Sequence, residues 1–143
     1  MVVQMRYHFY MFTKLMKRFE TARPFTENEA WLLFRIAAFA EAAGWTILIA
    51  GILIEHYLMP GNNAAVLIAG QTHGMIFFGY MVAALGLYPS LGWSRWYALT
   101  ALIISVPPYG TLVFERWMAH KRQTERLREY RSLLTYSVLV NVY

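Results

Sequence analysis

Ionisable residues set in apolar runs open the question of chemistry. Arg35 and Glu41 stand in FRIAAFAEAAGW, and His73 stands in GQTHGMIFFGY with Gln71 and Thr72 beside it. Such groups are costly in hydrocarbon, so each marks a functional site or a specific pairing. A Glu/His pair admits two chemistries. As an interhelical clasp it would fix the register of two helices. As a proton or ion site it would use a histidine, the side chain that titrates near neutral pH. Metal or haem ligation has thinner support, because no second histidine lies three or four residues from His73 and one His with one Glu makes a sparse shell. His56, beside Glu55, reads as a wet interfacial residue, and His8 and His120 read as surface residues.

These groups need elements that bring them to one level. A spanning helix takes about 20 mostly apolar residues. The sequence predicts three antiparallel spans, about 31–58, 64–88 and 93–114, in an all-α membrane protein. Thr26 with Glu29 forms a capping-box pattern at the start of the first. MPGNN, 59–63, and PSLGWSR, 89–95, read as turns. Glu41 follows Trp31 by ten residues and His73 follows Ala64 by nine. At 1.5 Å per residue, that is about 15 Å and about 13–14 Å from opposite faces of a core about 30 Å thick. The two are therefore expected in contact, with Arg35 reaching down toward them. Gly70 and Gly74, with Gly79 further along and Gly44 on the first span, read as the small residues that let helices approach in lipid. Pro107 and Pro108, with Gly110, are expected to kink the third span and to aim the tail along the membrane surface.

Composition supports the membrane class. Hydrophobic residues are 58% and charged residues 15%, against roughly 45–50% and about 25% in soluble domains. With no cysteine, disulfides and thiolate sites are excluded. All eight acids are glutamate. The net charge of +5 comes from basic stretches flanking the apolar runs, which favours anionic lipid headgroups rather than nucleic acid as the partner. Residues 1–25 read as a basic, aromatic interfacial helix with no cleavable signal peptide. Residues 26–115 read as the transmembrane domain, and 116–143 as a basic helical tail with a short apolar end. Trp31, Tyr88, Trp93, Trp96 and Tyr97 are expected in one interfacial belt, with Tyr57, Tyr109 and Trp117 in the other. Three spans would put Arg6, Lys14, Lys17, Arg18, Arg23 and Arg95 on one side and Arg116, Lys121, Arg122, Arg126, Arg128 and Arg131 on the other. That tie leaves orientation open.

The runs FRIAAFAEAAGWTILIAGILIEHY, GQTHGMIFFGY and SVPPYGTLVFERW resemble a family of small bacterial integral membrane proteins catalogued only as a domain of unknown function. The matching marks are Arg35 and Glu41 six apart, then Gly70, His73 and Gly74, then Pro108, Gly110 and Phe114, over about residues 32–120. Where the family often has a Pro-Leu-Lys-Tyr-like stretch, this chain has Ile54, Glu55, His56 and Tyr57. The resemblance implies a multi-pass protein of the bacterial inner membrane, without established enzymatic activity. Some relatives look like accessory subunits of respiratory supercomplexes.

The sequence shows no nucleophile–base pair, phosphate loop or metal triad. The expectation is a non-enzymatic accessory or assembly subunit, without cofactor or metal, in a homo-oligomer or a larger membrane complex. The competing expectation is an oligomeric transporter or proton-coupled channel built on the Glu/His pair.

Overall fold

The computed structural model describes residues 10–15, 17–18 and 23–140. Most of the expected N-terminal interfacial helix lies outside the described residues; within it, 10–15 and 17–18 are helical. Four helices follow: α1 Glu27–Leu53, extended by a π-helical turn Ile54–Leu58, then α2 Ala64–Leu87, α3 Arg95–Ile104 and α4 Gly110–Val140. Two of them, Glu27–Leu58 and Ala64–Leu87, are long and apolar enough to cross a membrane.

The start of α1 follows the expected local chemistry. The Glu29 amide donates to Thr26 Oγ1 at 3.4 Å, and the Thr26 amide donates to Glu29 Oε2 at 2.9 Å. Two otherwise orphaned N–H groups are thereby satisfied. At the other end, Gly61 takes φ +82° and Asn62 Oδ1 accepts from the Ala64 amide at 3.1 Å, so the linker reverses within a few residues.

α1 and α2 pack in opposite order along their lengths. Phe34 meets Tyr80 with ring centroids 6.0 Å apart. A Cβ on Gly44 would lie 3.0 Å from His73 Nδ1, and one on Gly51 would run into the Ala69 methyl. The close approach thus uses Gly44 and Gly51 against Ala65, Ala69, His73 and Ile76. Gly70, Gly74 and Gly79 do not take part, since nothing lies within 4 Å of a Cβ on any of them. Each residue turns a helix by about 100°. A helix that turns Ala69, His73 and Tyr80 inward therefore turns Gly70 and Gly74 outward.

The stretch expected as a third span is two arms of a helical hairpin. α3 ends at Ile104, the chain reverses over residues 105–109, and α4 returns alongside. Tyr97 packs on Trp117 (centroids 6.0 Å) and Trp93 on Phe114 (5.6 Å). α4 then runs back along α1. Thr111 Oγ1 donates to the Ala38 carbonyl at 3.1 Å, Arg35 meets Glu115, and Arg122 Nε donates to Glu27 Oε1 at 2.6 Å. The tip reaches about two-thirds of the way along α1, where the Trp45 indole donates to the Ser105 carbonyl and Thr46 meets the Tyr109 hydroxyl.

Three expectations change as a result. The basic tail returns to the N-terminal end of α1 instead of lying at the opposite end. Trp117 joins Tyr97 in the first aromatic group, and Tyr109 sits at the hairpin tip. No boundary falls at 115/116, because α4 is continuous and both Glu115 and Met118 are buried.

Gly110 makes the reversal possible. A Cβ there would overlap the Ile104 carbonyl oxygen, and Tyr109 already adopts φ +62°. Gly110→Ala is expected to lower the melting temperature in detergent by several degrees, a loss of about 2 kcal/mol or more. Gly86→Ala, at a helical position with nothing within 4 Å, should be neutral or slightly stabilising. Equal melting of the two variants would refute the assigned role of Gly110.

Candidate functional site

The polar side chains of the core gather where α1, α2 and the hairpin tip meet. Positions 34, 38, 41, 42 and 45 share one side of α1, and Phe34, Ala38, Glu41 and Ala42 are buried there. Glu41 is 0% exposed. Its Oε1 lies 3.9 Å from His73 Nδ1, too far for a direct hydrogen bond. Among the described residues, neither carboxyl oxygen of Glu41 has a hydrogen-bond partner, and neither does His73 Nδ1. His73 is held by rings, with Trp45 at 4.7 Å and Phe77 at 6.4 Å between centroids. The sequence brought the right two residues to one level. They stand side by side, and no hydrogen bond closes the pair.

Arg35 is not part of this contact. Its Nε lies 2.9 Å from Glu115 Oε1, and Glu115 is only 2% exposed while Arg35 is 53% exposed. Their geometry is that of an ion pair, without an aligned hydrogen bond. Glu115 was missed because it opens ERWMAHKR, which reads as the start of a polar tail. Its signal was available: a reversal at Pro107–Pro108 would carry Glu115 back to the level of Arg35.

Gln71 and Thr72 separate from the centre. Thr72 Oγ1 donates to the Ile68 carbonyl of its own helix at 2.9 Å, while Gln71 lines a shallow outward recess with Gly74, Met75 and Phe78. Two further groups, Tyr80 and Ser105, join the centre. Tyr80, 1% exposed, donates its hydroxyl to the Ala101 carbonyl at 3.1 Å. Ser105 Oγ donates to the Leu102 carbonyl at 2.6 Å. Thr111 ties α4 to α1.

The arrangement can hold a proton or one small polar ligand between Glu41 and His73. Among the described residues, no group of three His, Cys, Asp or Glu is placed to hold a metal ion.

The family described as "Domain of unknown function (DUF3817)" matches residues 31–120. The match covers more than half of the chain, and the chain belongs to that family. No curated protein and no solved structure matches it.

The Arg35–Glu115 pair gives an asymmetric prediction. Arg35→Gln strands a buried carboxylate, and should cost about 2–3 kcal/mol after allowance for the half-exposed arginine. Glu115→Gln leaves an arginine that can turn outward, and should cost about 1 kcal/mol. The double variant should melt near Glu115→Gln. Melting curves of all four proteins test the coupling; additive losses would show that the two residues act independently.

Proposed function

We propose that this member of a family of unknown function is a small multi-pass protein of the bacterial inner membrane, acting without catalysis as an accessory or assembly subunit of a larger membrane complex. The observation that carries this reading is Gln71. It lies on an outward face of α2 among residues such as Leu67, Ile68, Met75 and Phe78, which are 61–77% exposed. An amide in hydrocarbon needs a partner. The flanking Gly70 and Gly74 would let another helix come close enough to provide one. Anionic headgroups would hold the basic end at the surface.

In this reading α1 and α2 cross the bilayer and α3–α4 enters from one side and leaves by the same side. Non-helical backbone at such depth must be satisfied by protein. The turn meets most of that demand. Pro107 and Pro108 have no N–H, and the amides of Ser105, Val106 and Gly110 donate to the carbonyls of Ala101, Ile103 and Pro107. No Lys or Arg occurs between Arg35 and Arg95, so the α1–α2 linker end is free of positive charge. The positive-inside rule then assigns the end carrying Arg23, Arg95 and the α4 tail to the cytoplasm.

A second reading is favoured by one observation, the enclosed and unpartnered Glu41 carboxyl. In that reading Glu41 and His73 form the proton or ion site of an oligomeric transporter or channel.

Two experiments test these readings. The chain has no cysteine, so single cysteines can be introduced freely. Asn62→Cys and Gln123→Cys should react with an impermeant maleimide from opposite sides of the membrane; labelling from one side would overturn the two-crossing topology. Mild-detergent capture of the tagged protein from native membranes should recover one larger complex in stoichiometric amount, with reduced recovery for Gln71→Leu. Capture of a lone homo-oligomer, with flux abolished by Glu41→Gln or His73→Gln while assembly persists, would replace the subunit reading by the transporter.

A further inference from the structure

We propose that the chain carries a binding site for one anionic phospholipid at the open end of the α3–α4 hairpin, with the lipid phosphate between Arg23 and Arg95. The proposal rests on the membrane reading and goes beyond a general attraction of basic residues to headgroups. It names one site, one headgroup chemistry and a track for the acyl chains.

A cavity of about 350 Å³ lies between the chain entering α1 and the start of α3, lined by residues that include Arg23, Pro89, Gly92, Trp93, Ser94 and Arg95. Arg23 and Arg95 have no hydrogen bond or ion pair among the described residues. The neighbouring cations differ. Arg35, Lys121, Arg122 and Arg126 each stand against a glutamate. Arg116, Arg128 and Arg131 also have no side-chain partner among the described residues, but they do not line this cavity; Arg23 and Arg95 are the two unpaired cations that do. A guanidinium meets a phosphate with paired donors in a planar fork, which suits it to this task.

The backbone adds donors. Ser94 caps α3 in an extended conformation, but its hydroxyl makes no capping bond. Its carbonyl accepts from the Tyr97 and Ala98 amides, while the Arg95 and Trp96 amides, ahead of them in the first turn, have no such acceptor. A helix start with free N–H groups favours a negative charge. Gly92, at φ +67° with nothing within 4 Å of a Cβ, keeps the backbone beside the cavity uncovered.

A free phosphate would satisfy the arginines equally well. The stripe below them selects a lipid. Trp96, Leu99 and Ile103 recur at i, i+3 and i+7 of α3 and are 72%, 43% and 70% exposed. They lie within about 100° of Arg95 around the helix, so an acyl chain could descend from the headgroup along them. α3 has ten residues, or about 15 Å of helix, close to one leaflet of a hydrocarbon core about 30 Å thick.

The test uses the full chain in phosphatidylcholine nanodiscs doped with phosphatidylglycerol, read by native mass spectrometry and by tryptophan fluorescence. One phosphatidylglycerol per chain should be retained, with about tenfold or greater preference over phosphatidylcholine. Arg23→Gln, outside the helices, and Arg95→Gln should each remove that preference, and Arg131→Gln should leave it intact. Inorganic phosphate in large excess should not displace the lipid. Three outcomes would overturn the site: equal retention of both lipids, an equal loss in Arg131→Gln, or displacement by inorganic phosphate with the same arginine dependence, which would make it a soluble-phosphate site. A chain that fails to enter either bilayer would defeat the membrane reading, and the site with it; a chain that enters without preference defeats the site alone.

Discussion

The reversal at residues 105–109 is the constraint on which the rest of the molecule depends. Residues 106–109 of the turn are exposed, while Ser105 and Gly110 at its ends are buried. The turn closes with two prolines that need no acceptor, amides of Ser105, Val106 and Gly110 that bond back within the segment, and a glycine where a side chain would strike the Ile104 carbonyl. Once the turn closes, the path of α4 is set. Its first turns lie against the middle of α1 through Thr111 and Ala38, Glu115 comes level with Arg35, and Arg122 reaches Glu27 and Asn28 at the start of α1. One local reversal thus places an ion pair with a buried carboxylate and the whole basic tail.

Two buried glutamates sit in this framework under opposite conditions. Glu115 has a guanidinium at 2.9 Å whose other side reaches the surface, so much of the desolvation cost is avoided by leaving the cation half wet. Glu41 has no such relief. Its Oε1 lies 3.9 Å from His73 Nδ1, and neither atom has a hydrogen-bond partner among the described residues. Removing an ion from water costs several kcal/mol even after relaxation, and a fold whose net stability is of order 5–15 kcal/mol does not tolerate that without compensation. Glu115 is therefore sufficiently explained by structure. Glu41 is not, and that difference separates a stabilising residue from a candidate for chemistry.

The sequence made legible what depends on local chemistry and on rise per residue. The Thr26–Glu29 cap is a matter of neighbours. The shared level of Glu41 and His73 follows from counting residues along two opposed helices. The glycine assignment held for Gly44, which packs against His73 and Ile76, but Gly70, Gly74 and Gly79 make no contact within the chain, because spacing alone does not tell which face of α2 turns inward. Gly70 and Gly74 show a small-xxx-small pattern, yet the contact is made by Ala65 and Ala69 against Gly44 and Gly51. The third span failed because the apolar content of 93–114 is the same whether the segment crosses or doubles back. Only the depth of the prolines, which follow directly on a helix of ten residues and a two-residue step, distinguishes a kink from a reversal.

The doubling back also changes what the charges mean. With a third crossing the cations would be divided evenly between two faces, and a basic tail on each would say nothing about direction. With the hairpin, the far end of the molecule carries no lysine or arginine near the linker, only Glu55, His56 and Tyr57 as ionisable residues, while the near end gathers arginines, lysines and the aromatic cluster of Trp31, Trp93, Tyr97 and Trp117. Cations lie over rings there, Lys121 at 4.2 Å from the Tyr97 centroid and Arg122 at 5.4 Å from that of Trp31. These contacts fix the point at which α4 leaves the core. Beyond it, the helix exposes Leu127, Tyr130 and Leu134 at positions three and four apart, on a segment that makes no core of its own. A helix in that condition gains most of its stability from what packs against it, which is a further reason to expect that the chain works in company.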